Sequence, residues 1–215
     1  MSTTLRSRRR TKTQDETAIA SPGPFLPWPD IPAPGQTVDR SAGRRGIVVQ
    51  QYPTESLDGP DNIRSVARRI GAMAETSKGL VVVVQPRHTT NESLIGLARA
   101  TSRAPDSREM DMLLATGEQI CIALLAMALI EQGYEAVSFT GDEAGIVTTL
   151  CHTKARILRV CPKRVRAALE EGKVVIVAGS QGVSPFGEIT TLEPAGPRNT
   201  ARALAAALRG EICDS

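Results

Sequence analysis

Two rhythms of apolar and polar residues alternate along this chain, and each change of rhythm marks an element. Residues 46–52 (GIVVQQY), 80–84 (LVVVV) and 173–178 (KVVIVA) are short β-branched runs; the last two are apolar along nearly their whole length, the pattern of strands covered on both sides. Between them the apolar residues fall at helical spacing. In 60–76, Ile63, Val66, Ala67 and Ile70 share one face behind Pro60, a residue suited to the first turn of a helix. Asn91 can cap a helix to about 103, and a long apolar helix is predicted over 110–132, stopped by Gly133. Further helices are expected at 162–171, closed by Gly172, and at 199–208. Shorter strands are expected at 135–139, 156–160 and 188–192. Strands interleaved with helices are the signature of βαβ units, so the predicted fold class is α/β: a three-layer αβα sandwich around a mainly parallel sheet of five or six strands.

Residues 1–44 follow neither rhythm. They combine arginines at 6, 8, 9 and 10 with six prolines from Pro22 to Pro34, a composition that cannot bury enough apolar surface to offset the entropy of ordering. The expected division is therefore a disordered Pro/Arg-rich tail, 1–44, and one α/β domain, 45–215. Phe25, Leu26 and Trp28 are the tail's only candidates for docking in an extended conformation.

Charge and composition narrow the partners. The formal charge of +3 is concentrated in the tail arginines, and aromatic residues make up only 3% of the chain, which leaves neither a basic face nor stacking platforms for nucleic acid. The basic N-terminus is not followed by an apolar core, so no secretion signal is expected. The most apolar stretch, 120–130, falls short of the roughly 20 residues that cross a bilayer; it reads as a buried helix, and no membrane partner is expected. Cys121, Cys151, Cys161 and Cys213 show no paired spacing and read as reduced thiols of a cytoplasmic protein. No metal-ligand cluster, Walker loop or dinucleotide fingerprint is present, so no metal site is expected.

Four segments carry a resemblance: REMDMLLATGEQICIALLAMAL (108–129), SFTGDEAGIVTT (138–149), HTKARI (152–157) and EEGKVVIVAGSQGV (170–183). Together they resemble the aspartokinase branch of the amino-acid kinase family. The resemblance covers about 46–210, the front half of the family's catalytic domain. It implies an N-terminal lobe only, with the half supplying much of the ATP site, and the regulatory ACT domains, lying outside this chain.

It also implies where chemistry was kept and where it was changed. Family members end their first strand in K-[FY]-G-G-[TS]-S, with the lysine on the transferring phosphate; here the segment is Gln51-Tyr52-Pro53-Thr54-Glu55-Ser56. A cation has become an amide and a carboxylate has been added, both adverse to stabilising phosphoryl charge. The loop S-A-[ML]-G-x-T-T is matched by Gln85-Pro86-Arg87-His88-Thr89-Thr90-Asn91, and G-R-G-G-S-D-T-T by Glu193-Pro194-Ala195-Gly196-Pro197-Arg198-Asn199-Thr200. The family's substrate-gripping arginine thus falls on Pro194 and its aspartate on Arg198. Thr116-Gly117-Glu118 keeps T-[AS]-G-E, whose glutamate recognises the substrate's amino group, and Gly141 and the Ala178-Gly179 turn are also retained.

The side chains gained where the chain departs from these motifs, His88, Glu55 and Arg87, are the candidate catalytic residues. Glu118, Gln51, Gln85, Asn91, Gly196 and Arg198 are the candidate substrate-binding residues. His88 reads either as an acid/base or anion-holding group or as an exposed loop histidine. His152 reads as structural and Cys151 as a passive thiol. Ala178-Gly179-Ser180-Gln181-Gly182 looks like a loosened nucleophile elbow, but residues 183–187 are turn chemistry instead of a helix. Three functions stay open: an enzyme or binder acting on a small amino acid-like or acidic metabolite, a non-catalytic partner of a full-length kinase, and an aspartate kinase. No cofactor is expected, with ATP and magnesium entering only if kinase activity persists. A homo-oligomer or a heterodimer with a related kinase is expected.

Overall fold

The structure, a computed structural model, describes residues 45–52, 57, 59–85, 88–193 and 195–214. The expectations for the 1–44 tail, Pro53, Glu55, Arg87 and Pro194 lie outside the described residues. In chain order the elements are β1 (Arg45–Tyr52), α1 (Pro60–Thr76), β2 (Ser77–Val84), α2 (His88–Thr101), α3 (Ser107–Glu131), β3 (Ala136–Phe139), β4 (Ile146–Thr148), β5 (Ile157–Val160), α4 (Lys163–Glu170), β6 (Val174–Ala178), β7 (Gln181–Val183), β8 (Ile189–Thr191), α5 (Gly196–Leu208) and β9 (Glu211–Asp214).

The main sheet runs β3-β6-β2-β1-β9, and every pair in it is parallel. Its central strands β2 and β6 are buried along Leu80–Val84 and Val174–Ala178, as apolar runs covered on both faces must be. Residues pointing alternately up and down form two cores. Val48, Tyr52, Leu80, Val82, Val84, Val174 and Ile176 meet Ile63, Val66, Ala67 and Ile70 of α1 and Ile122, Leu125 and Leu129 of α3. Val49, Val81, Val83, Val175 and Val177 meet Val165, Ala168 and Leu169 of α4 and Ala201, Leu204, Ala205 and Leu208 of α5. The α/β class and the three layers agree with the sequence reading.

The number of sheets differs from that reading. Residues expected at the margins of one sheet form a second, four-stranded sheet in the order β5-β4-β7-β8. Its strands are three or four residues long, too short for alternation to register. A bridge between Ala155 and Leu192 links its two outer strands' flanks, so this small sheet nearly closes on itself. The turn expected over 183–187 begins one residue later, at Ser184, because Val183 is the last residue of β7. Helix α2 starts at His88, three residues before the predicted cap, which places Asn91 inside the first turn.

Helix α3 has the length and hydropathy of a membrane-crossing segment, longer than the 120–130 run read from sequence. Half of its surface packs inside the protein, and two acidic residues, Asp111 and Glu118, lie on that inner face. A core helix fits this better than a bilayer span, where buried carboxylates are costly.

Candidate functional site

Parallel α/β sheets place their sites beyond the carboxyl ends of the strands, and the candidate residues gather there. Gln51 is the penultimate residue of β1 and Gln85 directly follows β2. Next to them β6 ends at Ala178, and the Gly179 N–H donates to Val84 C=O at 2.8 Å. A side chain at Gly179 would sit 2.7 Å from that carbonyl, so the close crossing of the two strand ends requires glycine.

Glu118 comes up from α3 beneath this crossing. It is 2% exposed. The Ser180 N–H donates to its Oε1 at 2.7 Å, and the Gln181 amide donates to its Oε2 at 2.8 Å and to the Ala115 carbonyl at 3.2 Å. Burial pushes the Glu118 carboxyl up to about 7, against the opposing pull of the Gln181 amide and the Ser180 and Gly179 N–H groups. Desolvation outweighs these donors, to which the Ser180 hydroxyl adds, because it penalises the charged form as a whole. Glu118 is therefore poised near neutrality, where a cation placed beside it would ionise it.

Two helix starts pack on the residues next to Glu118 and on those that hold it. Thr90 and Asn91 of α2 pack against Gly117, where an added Cβ would lie 3.3 Å from Asn91 Oδ1. Asn91 Oδ1 is buried and has no hydrogen-bond partner among the described residues. On the other side the first turn of α5 closes on Gly179 and Ser180. The Thr200 hydroxyl donates to Gly179 C=O at 2.8 Å, and a Cβ on Gly196 would approach Ser180 Cα at 3.4 Å.

Of the sequence-predicted residues, Glu118, Asn91 and Gly196 thus converge, with Gln51 and Gln85 at the neighbouring strand ends. Arg198 is exposed on the first turn of α5. His88 opens α2, a helical position and not the loop position read from sequence.

A second polar cluster was not picked out in the sequence. Asp111, fully buried one helical face-repeat before Glu118, takes the Thr153 N–H at 3.0 and 3.1 Å on its two oxygens. It also accepts the Thr191 hydroxyl, and His152 Nδ1 lies 2.7 Å from its Oδ2. This ties α3 to the turn after β4 and to β8. The structural reading of His152 agrees with that arrangement. Ser180 contributes its backbone N–H to Glu118, and no helix follows it, as the sequence indicated. Among the described residues there is no group of His, Cys, Asp and Glu side chains that could hold a metal.

The amino acid kinase family model matches residues 46–213. The chain is 50% identical over 169 residues to an aspartokinase of Geobacillus stearothermophilus and 48% identical over 171 residues to aspartokinase 2 of Bacillus subtilis. Each alignment covers 79% of this chain, and 42% and 41% of the respective relative, so the chain spans about two fifths of their length. Among solved structures, aspartate kinase from Synechocystis superposes with a TM-score of 0.64 at 40% identity, over 76% of this chain and 26% of that one. Aspartokinase III of E. coli, solved with aspartate and ADP, superposes with a TM-score of 0.69 at 20% identity, over 79% and 49%, a likeness of fold. With the family model matched over 46–213 and relatives near 50% identity, the chain belongs to the amino acid kinase family and is similar to aspartokinases.

Proposed function

We propose that this chain binds a small amino acid-like or acidic metabolite at Glu118 and no longer carries out ATP-dependent phosphorylation of aspartate. The observation that supports the binding half is the Glu118 carboxyl: buried, held by the Ser180 N–H and the Gln181 amide, and raised to about 7. An ammonium group arriving there would favour the ionised carboxylate, whose proton leaves to solvent, and would gain a buried ionic partner. The ligand's acidic end would face Arg198 and the starts of α2 and α5, where helix ends favour anions. In this reading His88, Arg87 and Glu55 hold or protonate the ligand, and Gln51, Gln85, Asn91 and Gly196 complete the pocket.

The second half is supported by chemistry at the strand ends. Gln51 stands where aspartokinases carry a lysine, and Pro194 and Arg198 where they carry an arginine and an aspartate. Phosphoryl transfer depends on positioned positive charge, so exchanging that lysine for an amide raises the barrier by about 3 kcal/mol or more. No cofactor is needed for binding alone; ATP with magnesium belongs to the active-kinase alternative. A cytoplasmic setting is part of this proposal.

The test is a paired assay on the purified chain. Aspartate with Mg-ATP is followed for ADP and for β-aspartyl phosphate trapped as the hydroxamate, and aspartate binding is titrated calorimetrically. Binding without turnover is expected. Robust turnover would refute the lost activity. Absence of binding by aspartate and other amino acids would refute the pocket.

The homo-oligomer expected from the sequence, which bears on a role by contact, is favoured by the outer face of α3. Met112, Ile120, Leu124, Met127 and Ile130 are 39–59% exposed, and the exposed residues among them, Thr116 and Gln119, are uncharged. A neutral apolar stripe along one helix is complementary to itself when two copies lie antiparallel, the geometry of a two-fold contact. The occupant proposed is a second copy of this chain.

A further inference from the structure

Where the small sheet closes on itself there is a half-open cavity of about 220 Å³, lined by Ala155, Arg156, Ile157, Leu192, Glu193 and Asn199. The residues named around Glu118 do not line it. On one side lie the Ala155–Leu192 bridge and the start of β5, and Glu193 and Asn199 complete the lining. The turn is held by its own backbone: Gly196 N–H donates to Glu193 C=O at 2.7 Å, and Asn199 N–H to Ala195 C=O at 3.0 Å.

The side chains around the cavity are unusual in what they leave unused. Arg156, Glu193 and Asn199 form no ion pair or side-chain hydrogen bond among the described residues. Arg156, exposed, and Glu193, half-buried, both belong to the cavity lining and are not paired with each other, so the site offers one group of each charge to a molecule that carries both. An amide beside them can both donate and accept. Ala155, Ile157 and Leu192 supply aliphatic carbon for a short apolar group. The volume lies below the roughly 300–1,000 Å³ of pockets that enclose drug-sized ligands, which limits the occupant to a handful of heavy atoms.

We infer that this cavity is a second small-molecule site, separate from Glu118, that takes a zwitterionic amino acid with a short aliphatic side chain. The carboxylate is held by the Arg156 fork, the ammonium by Glu193, and the side chain rests on Ile157 and Leu192. Asn199 takes whichever end carries the free hydrogen-bonding position. The inference is independent of the Glu118 reading, since it uses different residues and a ligand of different side-chain chemistry.

The test uses the full-length chain, labelled with nitrogen-15, and three probes: L-valine, isobutylamine, which lacks the carboxylate, and 3-methylbutanoate, which lacks the ammonium. Valine is expected to shift the amide signals of residues 155–157, 192–193 and 199 saturably, with both comparators weaker by about tenfold or more. Arg156→Ala and Glu193→Gln should each weaken valine by about tenfold while leaving the melting temperature unchanged, as expected for partly exposed side chains without partners. The inference is overturned if valine produces no saturable shift, if either comparator binds as well as valine, or if both variants bind it normally. Shifts confined to 117–118 and 179–181 would put the ligand at Glu118 and overturn it equally.

Discussion

Asp111 and His152, 41 residues apart in sequence, meet at 2.7 Å between Oδ2 and Nδ1, and around that contact α3, the turn after β4 and β8 are fastened together. Asp111 is completely buried and spends both oxygens on the Thr153 N–H, with the Thr191 hydroxyl as a further donor. Removing the carboxylate leaves those donors buried and unpaired, the costly side of hydrogen-bond energetics. Asp111→Ala should destabilise the chain by about 3 kcal/mol, and His152→Ala by about 1 kcal/mol, since His152 is partly exposed and can turn to water. Urea denaturation of both variants and of the double variant measures the coupling; strictly additive losses would show that the pair is not acting as a unit.

The same turn holds a strained residue. Thr153 has φ of 63°, a left-handed conformation that costs a β-branched residue about 1 kcal/mol or more. The Asp111 carboxylate receives the Thr153 backbone N–H, which any residue provides, so Thr153→Gly keeps the contact and removes the strain. The variant should be as stable as the parent or up to about 1 kcal/mol more stable. A clear loss of stability in denaturation would mean the threonine side chain contributes packing that the backbone geometry does not reveal.

Glu118 makes stability depend on pH in a direction opposite to that of a salt-bridged carboxylate. Its folded pKa is raised from 4.5 to about 7, so between these values the folded chain holds a proton that the unfolded chain releases. The folded state is then progressively disfavoured as pH rises from about 4.5 to 7, by about 3 kcal/mol in all, and no further above that. Glu118→Gln lacks this titration. Its stability relative to the parent should therefore increase from pH 5 to pH 8 and then level off, in urea denaturation at half-unit steps. A difference that stays constant across this range would show that Glu118 is ionised in the folded chain throughout.

Much of this site was legible before any coordinates, and the reasons are local. The strands 80–84 and 174–178 announce themselves because both faces are apolar, and Glu118 stands out because Thr116-Gly117-Glu118 keeps the T-[AS]-G-E pattern of the family the chain resembles; once the helix is folded it is also a carboxylate on an apolar inner face. Asp111 carried the same signal: it lies seven residues earlier, in the buried series Asp111, Ala115, Glu118, Ile122, Leu125 and Leu129. The REMDM context, charged at both neighbours of the helix start, hid it among surface residues. The strands β5 and β8 were expected, but their membership of a separate sheet was not, because β4 and β7 are three residues each and the two local antiparallel pairs are joined only through the single pairing of Val147 with Val183. The strand β9 escaped for a related reason, as it adds to β1 in register through Val48 and Glu211 with no pattern of its own.

Gly141 connects the loop after β3 to the group that holds Glu118. A Cβ there would lie 2.0 Å from the Gln181 carbonyl oxygen and 2.9 Å from Gly182 Cα, contacts that backbone atoms cannot relieve by turning a side chain. Gly141→Ala must therefore push the 140–145 loop and β7 apart. The cost should be about 2–4 kcal/mol, that of forcing an atom into a filled interior. Because Gln181 donates to Glu118 from the displaced strand, ligand affinity should fall more steeply than stability does, an effect visible when binding is measured well below the melting temperature. An alanine variant with unchanged melting and binding would show that the loop has room that the glycine contacts deny.

The outer stripe of α3 gives the sharpest statement about assembly. If two copies pair through it, Ile120 and Met127 lose their solvent exposure of 50% and 59% in the dimer, and a charge at either position is buried without a partner. The double variant Ile120→Glu, Met127→Glu should sediment as a monomer at concentrations where the parent is a dimer, with at most a small change in the monomer's own stability, because both side chains face outward in the single chain. Leu97 of α2, 63% exposed, serves as the control: Leu97→Glu lies off the stripe and should leave the dimer intact. A parent chain that sediments as a monomer at high concentration, or a double variant that still dimerises, would rule out α3 as the contact and with it the structural support for a role by pairing.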